Sequence, residues 1–139
     1  MLVEKGYVSN VREAFDCYLD ESAKAYVHRR EPHFAEAVER IRNGGGVASL
    51  AHPVRVNGDM TELLPELCEA GLNAIEAYHS DHGPADVELY LKLAEKYGLL
   101  VTGGSDFHGS VKPGVRLGTG CDGNLRVPRE VVEKLRAAV

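Results

Sequence analysis

Apolar residues recur along this chain with two periods, and the switches between them mark out its elements. Val8, Val11, Phe15, Tyr18 and Leu19 fall at helical spacing and predict a helix over 9–19, with Ser9 as its N-cap. A polar stretch over 20–32 reads as a loop with a short extended piece at 25–27. A second helix is expected over 33–43, where Phe34, Val38 and Ile41 share a stripe. Three glycines, Gly44 to Gly46, stop it. The apolar run VASLAHP (47–53) predicts a buried strand. Asp59 then caps a helix, with Glu62 placed for a capping box and Leu63, Leu64, Leu67 and Cys68 as its apolar face. Gly71 ends that helix, and NAIEAYH (73–79) predicts a second strand. Pro84 suits the first turn of a helix carrying Val87, Tyr90, Leu91, Ala94 and Tyr97, which Gly98 closes. A third strand is expected over 99–106, and Pro128 opens a last helix that runs to about residue 138.

Strands alternating with helices predict βαβ units in a parallel sheet, an α/β fold of about three βα units with flanking helices. The strands begin near Val47, Asn73 and Leu99, a 26-residue rhythm without a matching sequence repeat. The 139 residues are the length of one domain, and 44% hydrophobic with 27% charged residues is a globular composition. With 16 basic and 21 acidic residues the formal net charge is −5, which argues against a broad duplex-DNA footprint but leaves room for a local phosphate pocket. Cys17, Cys68 and Cys121 form no CxxC pair and read as reduced thiols. No apolar run approaches the ~20 residues of a membrane span, and MLVEKGYV has no signal-peptide pattern, so the cytoplasm is the expected compartment.

The chemistry gathers where the strands end. His52, His79 and Asp106 are spaced 27 and 27 residues apart, one at the end of each expected strand, with His108 two beyond Asp106. Functional groups of parallel α/β folds collect at such carboxyl ends. Imidazole and carboxylate are ligands of zinc, manganese or iron, and Gly103 and Gly104 allow close backbone approach. Each residue also has an ordinary reading: a turn before Pro53 for His52, a turn or cap for Asp106. His82 faces either the same mouth or solvent. Glu76, inside an apolar strand, calls for half-exposure or a basic partner. Arg55, Lys112 and Arg116 are loop cations suited to a phosphate or simply solvated. The segment GTGCDG (118–123) is not a P-loop, and no GxSxG is present. Metal-assisted hydrolysis is the class that remains.

Taken together, GGVASLAHPVR, AIEAYHSDH and GLLVTGGSDFHG resemble the C-terminal half of a PHP (polymerase and histidinol phosphatase) domain, over roughly residues 6–118. The likeness is greatest to the branch that acts on nucleoside phosphates and RNA 5′ ends. It implies part of a distorted (β/α)7 barrel, with residues of about 1–35 in an inserted helical region and 1–139 as a single domain. It further implies a divalent-metal phosphoesterase using Mn, Zn or Fe. By position His52, Asp106 and His108 match family metal ligands, His79 and His82 become catalytic or substrate-contacting groups, and Arg55, Lys112 and Arg116 phosphate contacts. The family's opening HxH motif has no counterpart in these residues. An open half-barrel would expose strand edges, so a homo-oligomer covering the edge is expected. The expected substrate is a phosphorylated small molecule or short oligonucleotide, and a non-catalytic metal-binding or assembly module is the alternative. A metal-dependent amidohydrolase shares this barrel chemistry.

Overall fold

A computed structural model describes residues 1–28 and 30–139. The chain divides into two compact units, Met1–Glu31 and Pro32–Val139.

In the first unit, α1 (Val11–Ala14) widens into a π-turn over Phe15–Leu19, closed by the Asp20 N–H on the Phe15 carbonyl at 3.0 Å. The N-cap is Asn10 rather than Ser9. Asn10 Oδ1 accepts the Glu13 N–H at 3.0 Å, while the Glu13 carboxylate reaches back to the Ser9 N–H at 2.7 Å. Ser9 thus has its own amide satisfied and leaves the capping role to its neighbour. Residues 25–27 form no strand.

The second unit contains α2 (Phe34–Asn43), β1 (Ser49–Leu50), α3 (Met60–Glu69), β2 (Ala74–His79), α4 (Pro84–Tyr97), β3 (Leu100–Gly104), the short strands β4 (Val115–Arg116) and β5 (Gly120–Cys121), and α5 (Arg129–Ala137). The three principal strands are parallel in the order β1-β2-β3, with Ser49 opposite Ala74 and Ala74 opposite Leu100. The expected alternation of strand and helix is present. The first strand is shorter than expected, because the chain turns at Ala51 and His52 instead of extending to Pro53. An antiparallel β4–β5 hairpin occupies the segment with no expected structure.

Local chemistry explains the helix ends. Asp59 Oδ1 accepts both the amide (2.8 Å) and the hydroxyl (2.7 Å) of Thr61, so Thr61 completes this cap instead of Glu62. Pro84 starts α4, with Asp86 accepting the Gly83 N–H at 2.8 Å, and Gly98 ends it in the left-handed region at φ +65°. On α2, Val38 is buried but Ile41 is 45% exposed, so the stripe is narrower than its spacing suggested.

The core lies between the sheet and helices α3 and α4. Leu64 and Ile75 are fully buried, joined by Met60, Leu72, Ala77, Tyr90, Leu93 and Ala94. On the other face, Ser49 Oγ and Thr102 Oγ1 approach to 2.7 Å although β2 separates their strands. Neighbouring strands stand ~4.8 Å apart, so a hydroxyl pair spanning two intervals requires the sheet to curl toward that face.

A bulge between Glu76 and Tyr78 breaks the two-residue alternation of β2. Simple alternation places Tyr78 beside Glu76. Past the bulge, Tyr78 instead joins the core side, lining a cavity of about 160 Å³ with Leu91, Leu99, Val101 and Val131. Gly103 permits this arrangement. A Cβ there would lie 2.8 Å from both Tyr78 Cβ and Val127 Cγ2, distances no side chain tolerates. Gly103→Ala should therefore destabilise the fold by about 1–3 kcal/mol in chemical denaturation. A change below ~0.5 kcal/mol would show that the β2–β3 approach is less constrained than its geometry indicates.

Candidate functional site

Two of the three strand-end residues adopt left-handed backbone. His52, two residues past β1, has φ +32°, and Asp106, two past β3, has φ +52°. Non-glycine residues held this way cost ~1–3 kcal/mol and concentrate where surrounding structure over-determines them. For His52 the constraint is visible: its backbone N–H donates to Glu76 Oε2 at 2.7 Å. Glu76 is half-buried, the first of the two alternatives its position left open, and its partner is a backbone amide and not a base. Gly104 makes room for it, since a Cβ would come within 3.1 Å of Glu76 Oε1. Gly103 and Gly104 therefore accommodate Tyr78 and Glu76.

The turn after His52 (Pro53–Arg55) directs Arg55 across the mouth. Its Nε donates to Asp81 Oδ2 at 3.0 Å, and its Nη2 contacts both Asp81 and, at 3.3 Å, Asp106 Oδ2. Lys112 Nζ donates to that same Asp106 oxygen at 2.7 Å. His108 Nε2 meets Asp106 Oδ1 at 3.0 Å. Three cationic or proton-bearing groups thus converge on one carboxylate. Lys112 above all, then His108, holds the Asp106 carboxyl far below the ordinary carboxylate range. Hydrogen bonding from Arg55 lowers Asp81, and the Asp81 contact raises Arg55 in turn. Arg116 stands exposed on β4, outside this cluster.

Beside the cluster, aromatic rings form a row. His52 and His79 are 5.8 Å apart between centroids, His79 and His82 5.2 Å, and His82 and Tyr90 4.9 Å. Both His79 and His82 are buried, which settles the open choice for His82: it does not face solvent. Desolvation is the largest influence on His79 and lowers its pKa, favouring the neutral ring. Their tautomers follow from their partners. His79 Nδ1 accepts the Asp81 N–H at 3.0 Å, so the proton of the neutral ring sits on Nε2. His82 Nδ1 lies 2.9 Å from the Ala77 carbonyl, which only accepts, so Nδ1 carries the proton and Nε2 a lone pair. Neither Nε2 has a hydrogen-bond partner among the described residues.

The expected metal ligands do not assemble. Among the described residues no group of three or more His, Cys, Asp or Glu side chains is placed to hold a metal ion. His108 directs Nε2 at Asp106, both Asp106 oxygens are contacted by groups of this chain, and the His52 ring lies against His79. The donor set present in this chain does not fit a metal centre by itself.

Several residues that shape this mouth carried no isolated sequence signal. Ser80 Oγ donates to the Ser105 carbonyl at 2.8 Å, and Asn124 Nδ2 to the Ser80 carbonyl at 2.8 Å, tying the loops after β2 and β3 to the hairpin. Asp81 lies in the segment YHSDH, and its pairing with Arg55 was not expected.

No family model matches the chain. It is 47% identical over 74 residues to a phosphoribosyl 1,2-cyclic phosphate 1,2-diphosphodiesterase of Eggerthella lenta, covering 53% of this chain and 28% of that protein. Over 110 residues it is 33% identical to a 3′,5′-nucleoside bisphosphate phosphatase of Chromobacterium violaceum, covering 77% of this chain and 39% of the relative. It is 31% identical over 110 residues to a 5′-3′ exoribonuclease of Escherichia coli, with 77% and 38% covered. Among solved structures, one from Bifidobacterium adolescentis, provisionally described as a metal-dependent phosphoesterase, superposes with a TM-score of 0.73 at 29% identity over 99% of this chain and 47% of that one. One from C. violaceum, described as an amidohydrolase with bound sulfate and no metal, gives 0.66 at 28% identity over 99% and 48%. These likenesses support a PHP-like phosphoesterase family. The chain spans less than half the length of each of these proteins. No helix among the described residues is long and apolar enough to cross a membrane.

Two measurements check this geometry. Long-range proton–nitrogen correlation spectra near neutral pH should place the ring proton of His79 on Nε2 and that of His82 on Nδ1; the reverse assignment for either would contradict its hydrogen bond. The second concerns acid. Asp106 has its carboxyl held below its unfolded value of ~3.9, so its contribution to stability is complete above that value and is lost as pH falls through the folded-state value. Asp106→Asn should flatten the acid limb of stability against pH below about 4, and an unchanged limb would mean that solvent screens the cluster.

Proposed function

We propose that this chain is the C-terminal portion of a PHP-type, divalent-metal-dependent phosphoesterase acting on nucleoside phosphates or short 5′-phosphorylated oligonucleotides. The observation that carries the reading is the convergence of Arg55, Lys112 and His108 on Asp106 at the carboxyl end of a curved parallel sheet. The named relatives share a phosphoryl group as the common element of otherwise different substrates. The scaffold is also that of a protein described as an amidohydrolase, and the cations at the mouth are what favour a phosphoester over an amide.

Within this reading, Arg55 and Lys112 bind phosphoryl oxygens, the guanidinium as a planar fork and the ammonium as a point charge. Both now hold carboxylates of the mouth, Arg55 on Asp81 and Lys112 on Asp106, and bound to a phosphoryl group they would offset its negative charge. His79 offers an Nε2–H donor toward a substrate oxygen, and His82 an Nε2 lone pair able to accept a proton. A divalent cation, manganese, zinc or iron, belongs to the complete enzyme. Asp106, His108 and His52 are this chain's contribution to such a centre, and they do not close it alone.

That incompleteness favours a second reading, a non-catalytic metal-binding or assembly module, and one assay separates the two. If the catalytic reading holds for this chain without further residues, the purified protein supplied with Mn²⁺ releases phosphate from a nucleoside 3′,5′-bisphosphate or nucleotides from a 5′-phosphorylated oligoribonucleotide. Arg55→Ala and Lys112→Ala should each raise KM about tenfold, the equivalent of ~1.4 kcal/mol. Turnover no greater than that of Asp106→Asn on either substrate would reject the catalytic reading for this chain.

A further inference from the structure

A second recess lies away from the mouth. The cavity of about 160 Å³ beside α4, β3 and α5 is walled by Leu91, Leu99, Val101 and Val131. Leu91, Leu99 and Val101 stay half-buried around it, so the core packs against one side of this space and leaves it unfilled. A void of roughly 150 Å³ is large enough for a benzene ring. Two charged residues of α5 complete the lining, Glu130 and Lys134, one helical turn apart. A glutamate four residues ahead of a basic residue closes into an ion pair at 2.6 Å in both Glu36–Arg40 and Glu88–Lys92. Glu130 and Lys134 have the same spacing, yet neither makes a hydrogen bond or ion pair among the described residues. Two opposite charges thus stand unmatched at the opening of an apolar space.

We propose that this recess binds a free α-amino acid whose side chain is apolar and no larger than one ring. The side chain enters among Leu91, Leu99, Val101 and Val131, the carboxylate meets Lys134 and the ammonium meets Glu130. Apolar walls with a few polar groups are the usual composition of a small-molecule site. The charges select the head group. An anionic ligand would satisfy Lys134 and be repelled by Glu130, a cationic one the reverse, so a head group carrying both signs leaves neither unmatched. The walls select the side chain, since a polar one would surrender its water to aliphatic groups that offer no hydrogen bond. The recess lies beside Leu99 and Leu100 at the start of β3, whereas Asp106 stands beyond that strand's end. The assignment is therefore independent of the phosphoesterase reading.

The test is a titration of the purified, nitrogen-labelled chain with L-phenylalanine, followed by proton–nitrogen correlation spectra. Saturable shifts should appear at the amides of Tyr78, Leu91, Leu99 to Val101 and Glu130 to Lys134. Two analogues divide the head group: 3-phenylpropionate lacks the ammonium and 2-phenylethylamine lacks the carboxylate. Each should bind at least about tenfold more weakly than L-phenylalanine. Glu130→Gln should erase the advantage over 3-phenylpropionate, and Lys134→Gln the advantage over 2-phenylethylamine. Both side chains are exposed, so both variants keep the fold. Equal affinity for the three compounds would show an apolar void without head-group recognition and overturn the proposal. It is overturned equally by the absence of saturation at millimolar concentration, by shifts confined to other parts of the chain, or by variants that bind L-phenylalanine as the wild type does.

Discussion

Strand β2 is paired on both edges, and a carboxylate lies within it. A charged oxygen there loses water and must recover hydrogen bonds from protein. Glu76 does so by drawing in the backbone N–H of His52, which fixes the end of β1 and holds His52 in left-handed backbone. Pro53–Arg55 then turn immediately, and Arg55 is delivered to Asp81 and Asp106. The absence of a side chain at Gly104 is the matching concession on β3. One half-buried carboxylate thereby links the strand ends around it, and substitutions at Glu76 would be felt at Arg55 through the His52 turn.

The rhythm of the fold was legible because it depends on burial. Strands sandwiched between helices need continuous apolar runs, and the runs around Leu50, Ile75 and Val101 are where the parallel strands lie. Proline at the start of α4 and glycine at its end act locally, so their meaning survives without knowledge of tertiary structure. What could not be read is whatever depends on a non-local competitor. The β2 bulge follows from packing Tyr78 against Gly103 and the C-terminal segment, information spread over dozens of residues. Ser9 was expected as the cap because serine and asparagine can both serve; Glu13 shifts the role to Asn10 by satisfying the Ser9 amide.

The site was legible by position and not by partnership. The 27-residue spacing correctly brought His52, His79 and Asp106 to one end of the sheet, since successive βα units return the chain to the same edge. It gave no indication that Asp106 would be held by Lys112 and Arg55 or that Asp81 would be the first partner of Arg55. Side-chain reach explains the difference: Lys112 crosses six residues of loop and Arg55 crosses to two other strands' loops. Sequence spacing records neither distance.

The relatives act on a cyclic phosphate, a nucleoside bisphosphate and an RNA chain. Those substrates share a phosphoryl group, and under the proposed reading the cations of this mouth would have the matching generality. A guanidinium and an ammonium read the phosphoryl group and are indifferent to the base. Selection among sugars or bases must then come from groups with direction, and the buried histidine pair has it. His79 presents a donor and His82 an acceptor, with their polarity fixed from behind by the Asp81 amide and the Ala77 carbonyl. Under the proposed phosphoesterase reading, charge would supply attraction and the tautomers discrimination, because a group that presents a donor to His79 would leave a buried N–H unsatisfied.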